Sequence, residues 1–194
     1  MEPTANDSPQ FVSRAGVKLA HALDYFGLNC AELVCADLGS HVGGFVDCLL
    51  QRGAARVYSV DTSYGTFAWK LRRDARVVVL ERTNAMHVEL PEPVDLVTID
   101  VGWTRQAKIL PHARTLLKPT GKIVTLIKPQ YEASDEQREE GVVSAEQRED
   151  IVSDVCTQIH EYGLEVTGLV DSPIAGHGGN HEVLALLLLL TKEE

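Results

Sequence analysis

The sequence predicts an α/β fold, in which a mostly parallel sheet is covered by helices on both faces. Short apolar runs alternate along the chain with amphipathic stretches of helical periodicity, and this alternation is typical of such sheets. With 194 residues, of which 44% are hydrophobic, the chain can build one well-packed core. The last two apolar runs are separated by the 12 residues 171–182, which leave no room for a crossover helix. These two strands are therefore predicted to pair as an antiparallel hairpin at one edge of the sheet.

Seven strands and five helices account for most of the chain. The last helix begins with Ser144 and Gln147, which are spaced as in a capping box, and a long charged loop precedes it from Lys128 to about Val143. Residues 1–9 are predicted to form a disordered tail, and residues 10–194 a single domain. The predicted strands are residues 33–38, 56–60, 77–80, 94–100, 122–127, 164–170 and 183–190, and the predicted helices are residues 10–27, 45–52, 67–73, 107–117 and 144–162.

Charge and composition exclude several classes of protein. The net charge of −10 argues against a nonspecific polyanion binder, but it is uneven: residues 1–131 carry +2, residues 132–161 carry −8 and residues 162–194 carry −4. A nucleic-acid surface would therefore lie on the first two-thirds of the chain. The longest apolar run, residues 183–190, is too short to span a bilayer. Four scattered cysteines without a CxxC pair, and a polar N-terminus, predict a cytoplasmic protein without a disulfide framework or a metal site.

A glycine-rich loop follows the first predicted strand, where open α/β sheets bind their ligands. It reads Asp37-Leu38-Gly39-Ser40-His41-Val42-Gly43-Gly44-Phe45. The spacing Gly39-x-x-x-Gly43-Gly44 differs from the GxGxxG of dinucleotide sites, and the Gly-Lys-Ser/Thr of a P-loop is absent. Asp61 ends the second strand, where a carboxylate can accept hydrogen bonds from ribose hydroxyls. The loop and the terminal hairpin together favour the Rossmann-like fold of class I methyltransferases and S-adenosyl-L-methionine as the cofactor.

Several motifs resemble the FtsJ-like RNA 2′-O-methyltransferases, in particular their haemolysin-A (TlyA-like) branch. The resemblance spans about Phe11 to Leu190. It is carried by Ser13-Arg14-Ala15-Gly16-Val17-Lys18-Leu19, Asp37-x-Gly39, Gly43-Gly44-Phe45, Arg52-Gly53-Ala54, Tyr64-Gly65, Ala68-Trp69, Glu81-Arg82-Thr83-Asn84-Ala85, Lys128-Pro129-Gln130-Tyr131-Glu132, Gly141-Val142-Val143 and Gly178-Gly179-Asn180-His181-Glu182.

The resemblance implies S-adenosyl-L-methionine as the methyl donor, RNA as the substrate and a Lys-Asp-Lys-Glu catalytic set. Lys18, Asp100, Lys128 and Glu182 match this set. Lys128 is the candidate base for the ribose hydroxyl, with Lys18 as its cationic neighbour, Asp100 to orient it, and Glu182 to hold Lys18 or the ribose. The cofactor residues implied are Asp37, Gly39, Ser40, Gly43, Gly44, Phe45, Asp61, Asn84, whose amide would read the adenine edge, and Asp100.

The chain differs from this family at three places. His41-Val42 stands where the family usually has Ser-Thr, Val101-Gly102-Trp103 follows Asp100, and acidic residues, Asp135-Glu136 and Glu139-Glu140, follow Lys128. The branch usually carries an N-terminal RNA-binding S4 domain, which we expect this chain to lack, so that a partner could supply RNA binding. Two alternatives remain open: a methyltransferase of a small molecule or protein, favoured by the acidity of residues 132–161, and a cofactor-binding domain that catalyses little.

Overall fold

A computed structural model of the protein describes residues 10–134 and 143–190. It contains one seven-stranded sheet in the order β3-β2-β1-β4-β5-β7-β6. The predicted tail at residues 1–9, and the acidic residues 135–140, lie outside the described residues. The strands are β1 (Val34–Leu38), β2 (Arg56–Val60), β3 (Val77–Leu80), β4 (Val94–Ile99), β5 (Leu117–Ile127), β6 (Leu164–Asp171) and β7 (Val183–Leu189).

The direction of the strands confirms the predicted fold class. Strands β1 to β5 run parallel, while β7 lies antiparallel between β5 and β6. The predicted hairpin is therefore present, and its second strand also closes the sheet against β5. Within the described part of the chain, no helix is long and apolar enough to cross a membrane.

Helices cover both faces of the sheet, and a separate hydrophobic cluster lies between the sheet and the helices on each face. Side chains of α1, α2 and α3 fill one cluster, and those of α4 and α6 fill the other. The central strands face both clusters, which explains why they are apolar throughout. The helices are α1 (Ala15–Tyr25), α2 (Gly44–Gln51), α3 (Trp69–Arg72), α4 (Gln106–Ala113), α5 (Pro129–Glu132) and α6 (Ala145–Ile159).

Several element boundaries differ from the sequence prediction, and three of the differences are informative. Helix α1 begins at Ala15, not at residue 10, because Phe11 is buried in a non-helical segment against Gly16. The predicted charged loop starts with the short helix α5, in which Pro129 takes the first position, where its missing N–H is tolerated. Strand β5 begins at Leu117, and its pairing with β4 shifts by several residues before Lys122.

Candidate active site

A cavity of about 440 Å³ opens at the carboxyl ends of β1 and β4. Strand β1 lies between β2 and β4, so the sheet order reverses here, and such switch points hold ligands in open α/β sheets. The volume lies within the range of small-molecule sites. Most of the predicted site residues line it, namely Asp37, Gly39, Ser40, Gly44, Phe45, Asp61, Asn84, Asp100 and Lys128.

Gly39 allows the backbone of the first loop to pass close to β4. Its φ is +90°, and a Cβ atom there would lie 2.7 Å from the carbonyl oxygen of Asp100. Its N–H donates to the carbonyl of Val60 at the end of β2. Any side chain at this position would therefore collide with the backbone that follows β4 and displace the loop.

Asp37 is buried at the end of β1, and only one of its carboxylate oxygens has a partner. Its Oδ1 accepts a hydrogen bond of 2.7 Å from Thr98, while Oδ2 has no partner within the described structure. Burial raises the pKa of Asp37 to about 7, against the effect of the Thr98 hydrogen bond, and the nearby charges of Asp100 and Asp61 raise it further. An unpaired buried oxygen beside the cavity is suited to a hydrogen-bond donor of a bound molecule.

Asp61 follows β2 and holds the glycine-rich loop in place. Its Oδ2 accepts from the backbone N–H of His41 at 2.8 Å, and its Oδ1 from that of Ser63 at 2.7 Å. Burial acts to raise the pKa of Asp61, but the hydrogen bonds from Ser63 and His41 outweigh it, so the pKa lies below its usual value. The carboxylate is therefore ionised at neutral pH and acts as a hydrogen-bond acceptor.

Asn84 lies on the wall of the cavity after β3. Its side-chain oxygen accepts the N–H of Met86 at 2.9 Å, which fixes the direction of the amide. Its NH₂ group has no hydrogen-bond partner within the two described ranges of the chain and is therefore available to donate to a ligand.

Lys128 and Asp100 form an ion pair at the opposite wall. Lys128 Nζ lies 2.5 Å from Asp100 Oδ1 and donates to the carbonyl of Val101 at 2.9 Å. Lys128 follows β5 and Asp100 follows β4, so the pair joins two neighbouring parallel strand ends. Asp100 thus holds the lysine nitrogen in a fixed position at the cavity.

Lys18 and Glu182 form a second ion pair, and this one is almost fully buried. The distance from Lys18 Nζ to Glu182 Oε2 is 2.5 Å, and the side chains are 11% and 3% exposed. Since Ile127 pairs with Val183, Glu182 and Lys128 adjoin the same end of the β5–β7 pair. All four residues of the predicted catalytic set therefore lie at the same end of the central strands, although Lys18 and Glu182 do not line the cavity itself.

The second and third loop glycines serve packing between helices. A Cβ at Gly44 would collide with Ser13 and Ala15 before and within α1, and one at Gly43 would collide with Phe67 and Leu71 around α3. Gly43 also has a φ of +102° at the cap of α2 and does not line the cavity.

The loop after β4 supplies cavity residues that sequence reasoning did not assign to the site. Val101, Gly102, Trp103 and Thr104 line the cavity. Trp103 is 84% exposed, and the centroid of its ring lies 4.9 Å from that of Tyr131. Trp103 adopts a positive φ, and no feature of the sequence indicates this backbone conformation.

Comparison with known proteins identifies the family. The family model described as FtsJ-like methyltransferase matches residues 11–187. The chain belongs to this family. Family membership confirms S-adenosyl-L-methionine as the cofactor predicted from the sequence, and the cavity, with its close-packed glycine and its unpaired carboxylate oxygen, can accept such a ligand.

Relatives at 35–40% identity support the predicted branch. The 16S/23S rRNA (cytidine-2′-O)-methyltransferase TlyA of Mycobacterium tuberculosis is 40% identical over 89% of this chain and 66% of its own length. Hemolysin A of Brachyspira hyodysenteriae is 35% identical over 93% of this chain and 78% of its own length. A solved structure of a protein named as a hemolysin, from Streptococcus thermophilus, is 37% identical, with a TM-score of 0.91 over 95% of this chain and 69% of its own.

The chain spans about two-thirds of the length of the first relatives that it matches, 64% of one and 66% of another.

Proposed function

We propose that this chain catalyses S-adenosyl-L-methionine-dependent methylation of a ribose 2′-hydroxyl in RNA. The observation that carries the proposal is the pair of ion pairs, Lys128–Asp100 and Lys18–Glu182, at adjoining strand ends beside the cofactor cavity. Two lysines and two carboxylates held in this way suit the removal of a proton from a weak nucleophile. The relatives named as rRNA 2′-O-methyltransferases support the same reaction.

The residues divide the work between orientation and proton transfer. When bound, the cofactor would supply a methyl group on a sulfonium, so the main task of the protein is to position the attacking oxygen for an in-line displacement. Lys128 Nζ, in its neutral amine form, would take the proton of the ribose hydroxyl as the oxygen attacks, while Asp100 orients that nitrogen and Glu182 holds Lys18 at the adjoining strand end. Asp61 would accept hydrogen bonds from the cofactor ribose, and Asn84 would contact its adenine.

The proposed substrate is structured RNA, in particular ribosomal RNA, and the proposed location is the cytoplasm. Residues 10–194 are proposed to form one domain with this activity. Buried Cys30 and Cys48, whose pKa values burial raises to about 11 and about 12, are unreactive core thiols, as a reducing compartment allows. A partner that contributes RNA binding is part of the proposal.

Methyl transfer from labelled cofactor into total RNA, protein and small-molecule fractions tests the proposal. We expect label in RNA, and we expect Lys128→Ala to lower the rate by about 10²- to 10⁴-fold, since it removes the general base. The affinity for the cofactor should change little. Lys118→Ala is the matched control, because Lys118 is also an ion-paired lysine, 2.8 Å from Asp95, but lies away from the cavity.

Three results would contradict the proposal in different ways. Full activity of Lys128→Ala would exclude this lysine as the base. Label confined to the protein or small-molecule fraction would replace RNA as the substrate. Cofactor binding without transfer to any fraction would indicate a domain that binds the cofactor and catalyses little.

A further inference from the structure

An exposed surface that combines aromatic rings and arginines extends from the rim of the cavity to the β3 edge of the sheet. Its outward-facing members are Tyr64, Trp69, Arg73 and Arg82, and we call it the β3-edge surface. Tyr64 is 67% exposed and Trp69 is 69% exposed, so both rings are accessible to a ligand. They take no part in the cavity or in the catalytic ion pairs.

We propose that the β3-edge surface binds the RNA strand next to the nucleotide that is methylated. The inference rests on the proposed RNA substrate and adds the place where that substrate is held. Alternating cations and exposed aromatic faces are the combination that binds single-stranded nucleic acid, because phosphates need positive charge and every base has a face that can stack.

The surface is built rigidly around one carboxylate. Glu81 accepts two hydrogen bonds from Arg72, of 2.6 and 3.0 Å, and one of 2.7 Å from the backbone N–H of Gly65. Arg82 lies 4.1 Å above the ring of Tyr64. The loop at Tyr64 and Gly65, α3 and the end of β3 are thereby held together, so the backbone that carries the rings and cations is ordered before binding.

The surface has unpaired positive charge. Arg73 and Arg82 have no carboxylate within ion-pair distance among residues 10–134 and 143–190, whereas Arg72 and Arg76 are paired with Glu81 and Asp74. Arg73 is the C-cap residue of α3 and donates its N–H to the carbonyl of Trp69 at 3.3 Å, so the two residues lie one helical turn apart on the same side. A cation and a ring on one side can contact a phosphate and a base of the same strand.

The charge distribution of the molecule favours the binding of a polyanion at the β3 edge. Residues 62–82 carry five basic and two acidic side chains, while residues 144–171, which form α6 and the opposite edge strand β6, carry one basic and seven acidic side chains. A polyanion is therefore attracted towards β3 and repelled from β6. The net charge of −10 conceals this polarity.

The surface is also continuous with the cavity. Two cavity residues adjoin the surface in sequence: Thr62 lies two residues before Tyr64, and Thr83 directly follows Arg82. The N–H of Arg82 donates to the carbonyl of Ser63 at 3.2 Å. An RNA strand with one ribose in the cavity would pass over the rings of Tyr64 and Trp69.

Binding of a fluorescein-labelled single-stranded oligoribonucleotide, followed by anisotropy across a series of salt concentrations, tests the proposal. We expect Trp69→Ala to weaken binding about tenfold, as the loss of one base stack does, and Trp69→Phe to retain most of it. Arg73→Ala should lower the magnitude of the slope of log affinity against log salt by about one, as the loss of one phosphate contact does. Cofactor affinity should be unchanged in all three variants.

Two variants provide matched controls at other places. Tyr25 is 63% exposed beside Arg148 and Asp171 at the acidic edge, and Lys122 is an exposed lysine in the middle of β5. We expect Tyr25→Ala and Lys122→Ala to bind the oligonucleotide like the unsubstituted protein.

Two outcomes would overturn the inference, and a third would refute only the proposed function. Equal binding by Trp69→Ala, Arg73→Ala and the controls would refute the surface while leaving methyl transfer to RNA intact. Displacement of the RNA by poly-L-glutamate, with Trp69→Ala unaffected, would indicate a general polyanion surface instead. Loss of binding in the surface variants, in a protein that methylates no RNA, would support the surface and refute the activity.

Discussion

Asp37 is a buried carboxyl whose protonation is coupled to folding. Burial raises its pKa to about 7, while the unfolded chain has the ordinary value of about 3.8. Between these values the folded protein binds one proton more than the unfolded protein, so the free energy of unfolding falls as the pH rises through this window. The contribution is complete below about pH 4 and lost above about pH 7.

Asp37→Asn should remove this part of the pH dependence, because the amide resembles the protonated acid and still offers an oxygen to Thr98. We expect the variant to gain stability relative to the unsubstituted protein as the pH is raised from 4 to 8. Urea unfolding at several pH values measures the difference. If the two proteins keep a constant difference over the whole range, Asp37 has an ordinary pKa in the folded state.

Many of the candidate site residues predicted from the sequence lie at strand ends. Asp37, Asp61, Asp100 and Lys128 each follow an apolar run, and the parallel topology alone brings such positions to one edge. Gly39 could be recognised because a loop that passes close to a neighbouring strand requires glycine. Trp103 could not be assigned, since its contact with Tyr131 joins two loops whose conformations depend on the finished fold.

At the scale of elements, the Lys18–Glu182 ion pair connects α1 to β7 through a separation of 164 residues. Both side chains are nearly buried, and a buried ion is expensive unless its partner is present. We therefore expect Glu182→Ala to lower the free energy of unfolding by about 3–5 kcal/mol, because it leaves an uncompensated ammonium group. Chemical denaturation with intrinsic fluorescence gives this value.

The double variant Lys18→Met/Glu182→Leu is the informative control. Replacing both ions by apolar groups of similar size removes the unpaired charge, so stability should return close to that of the unsubstituted protein. Methyl transfer should stay low in both variants if the pair also serves catalysis. A single variant that loses less than about 1 kcal/mol would mean that the ion pair is exposed to water in solution.

Elements with a clear local pattern were predicted to within a residue or two. Strands β2 and β3 have the predicted bounds, because each is a run rich in apolar β-branched residues that is followed directly by a charged residue. Helix α6 begins after Ser144 with the predicted capping box. The start of α1 was misplaced because Phe11 fits a helical period but reaches the core from a bent segment, which only tertiary packing determines.

At the scale of the whole molecule, the cavity couples ligand binding to stability. A ligand that binds only the folded state at one hundred times its dissociation constant raises the free energy of unfolding by about 2.7 kcal/mol. For a chain of this length we expect S-adenosylhomocysteine under such conditions to raise the melting temperature by about 5–10 °C. NAD should cause no shift, since the loop lacks the spacing of a dinucleotide site.

Two glycine variants show whether this shift comes from the cavity. Gly39→Ala and Gly27→Ala both place a side chain at positive φ, but only at Gly39 does the new Cβ collide with β4 beside the cavity, while at Gly27 it meets no atom within 4 Å. Both variants should therefore melt at a lower temperature without ligand. Gly27→Ala should keep the full shift with S-adenosylhomocysteine, and Gly39→Ala should lose most of it. Equal shifts would place the ligand elsewhere, and a shift with NAD alone would exclude a sulfonium nucleoside as the natural ligand.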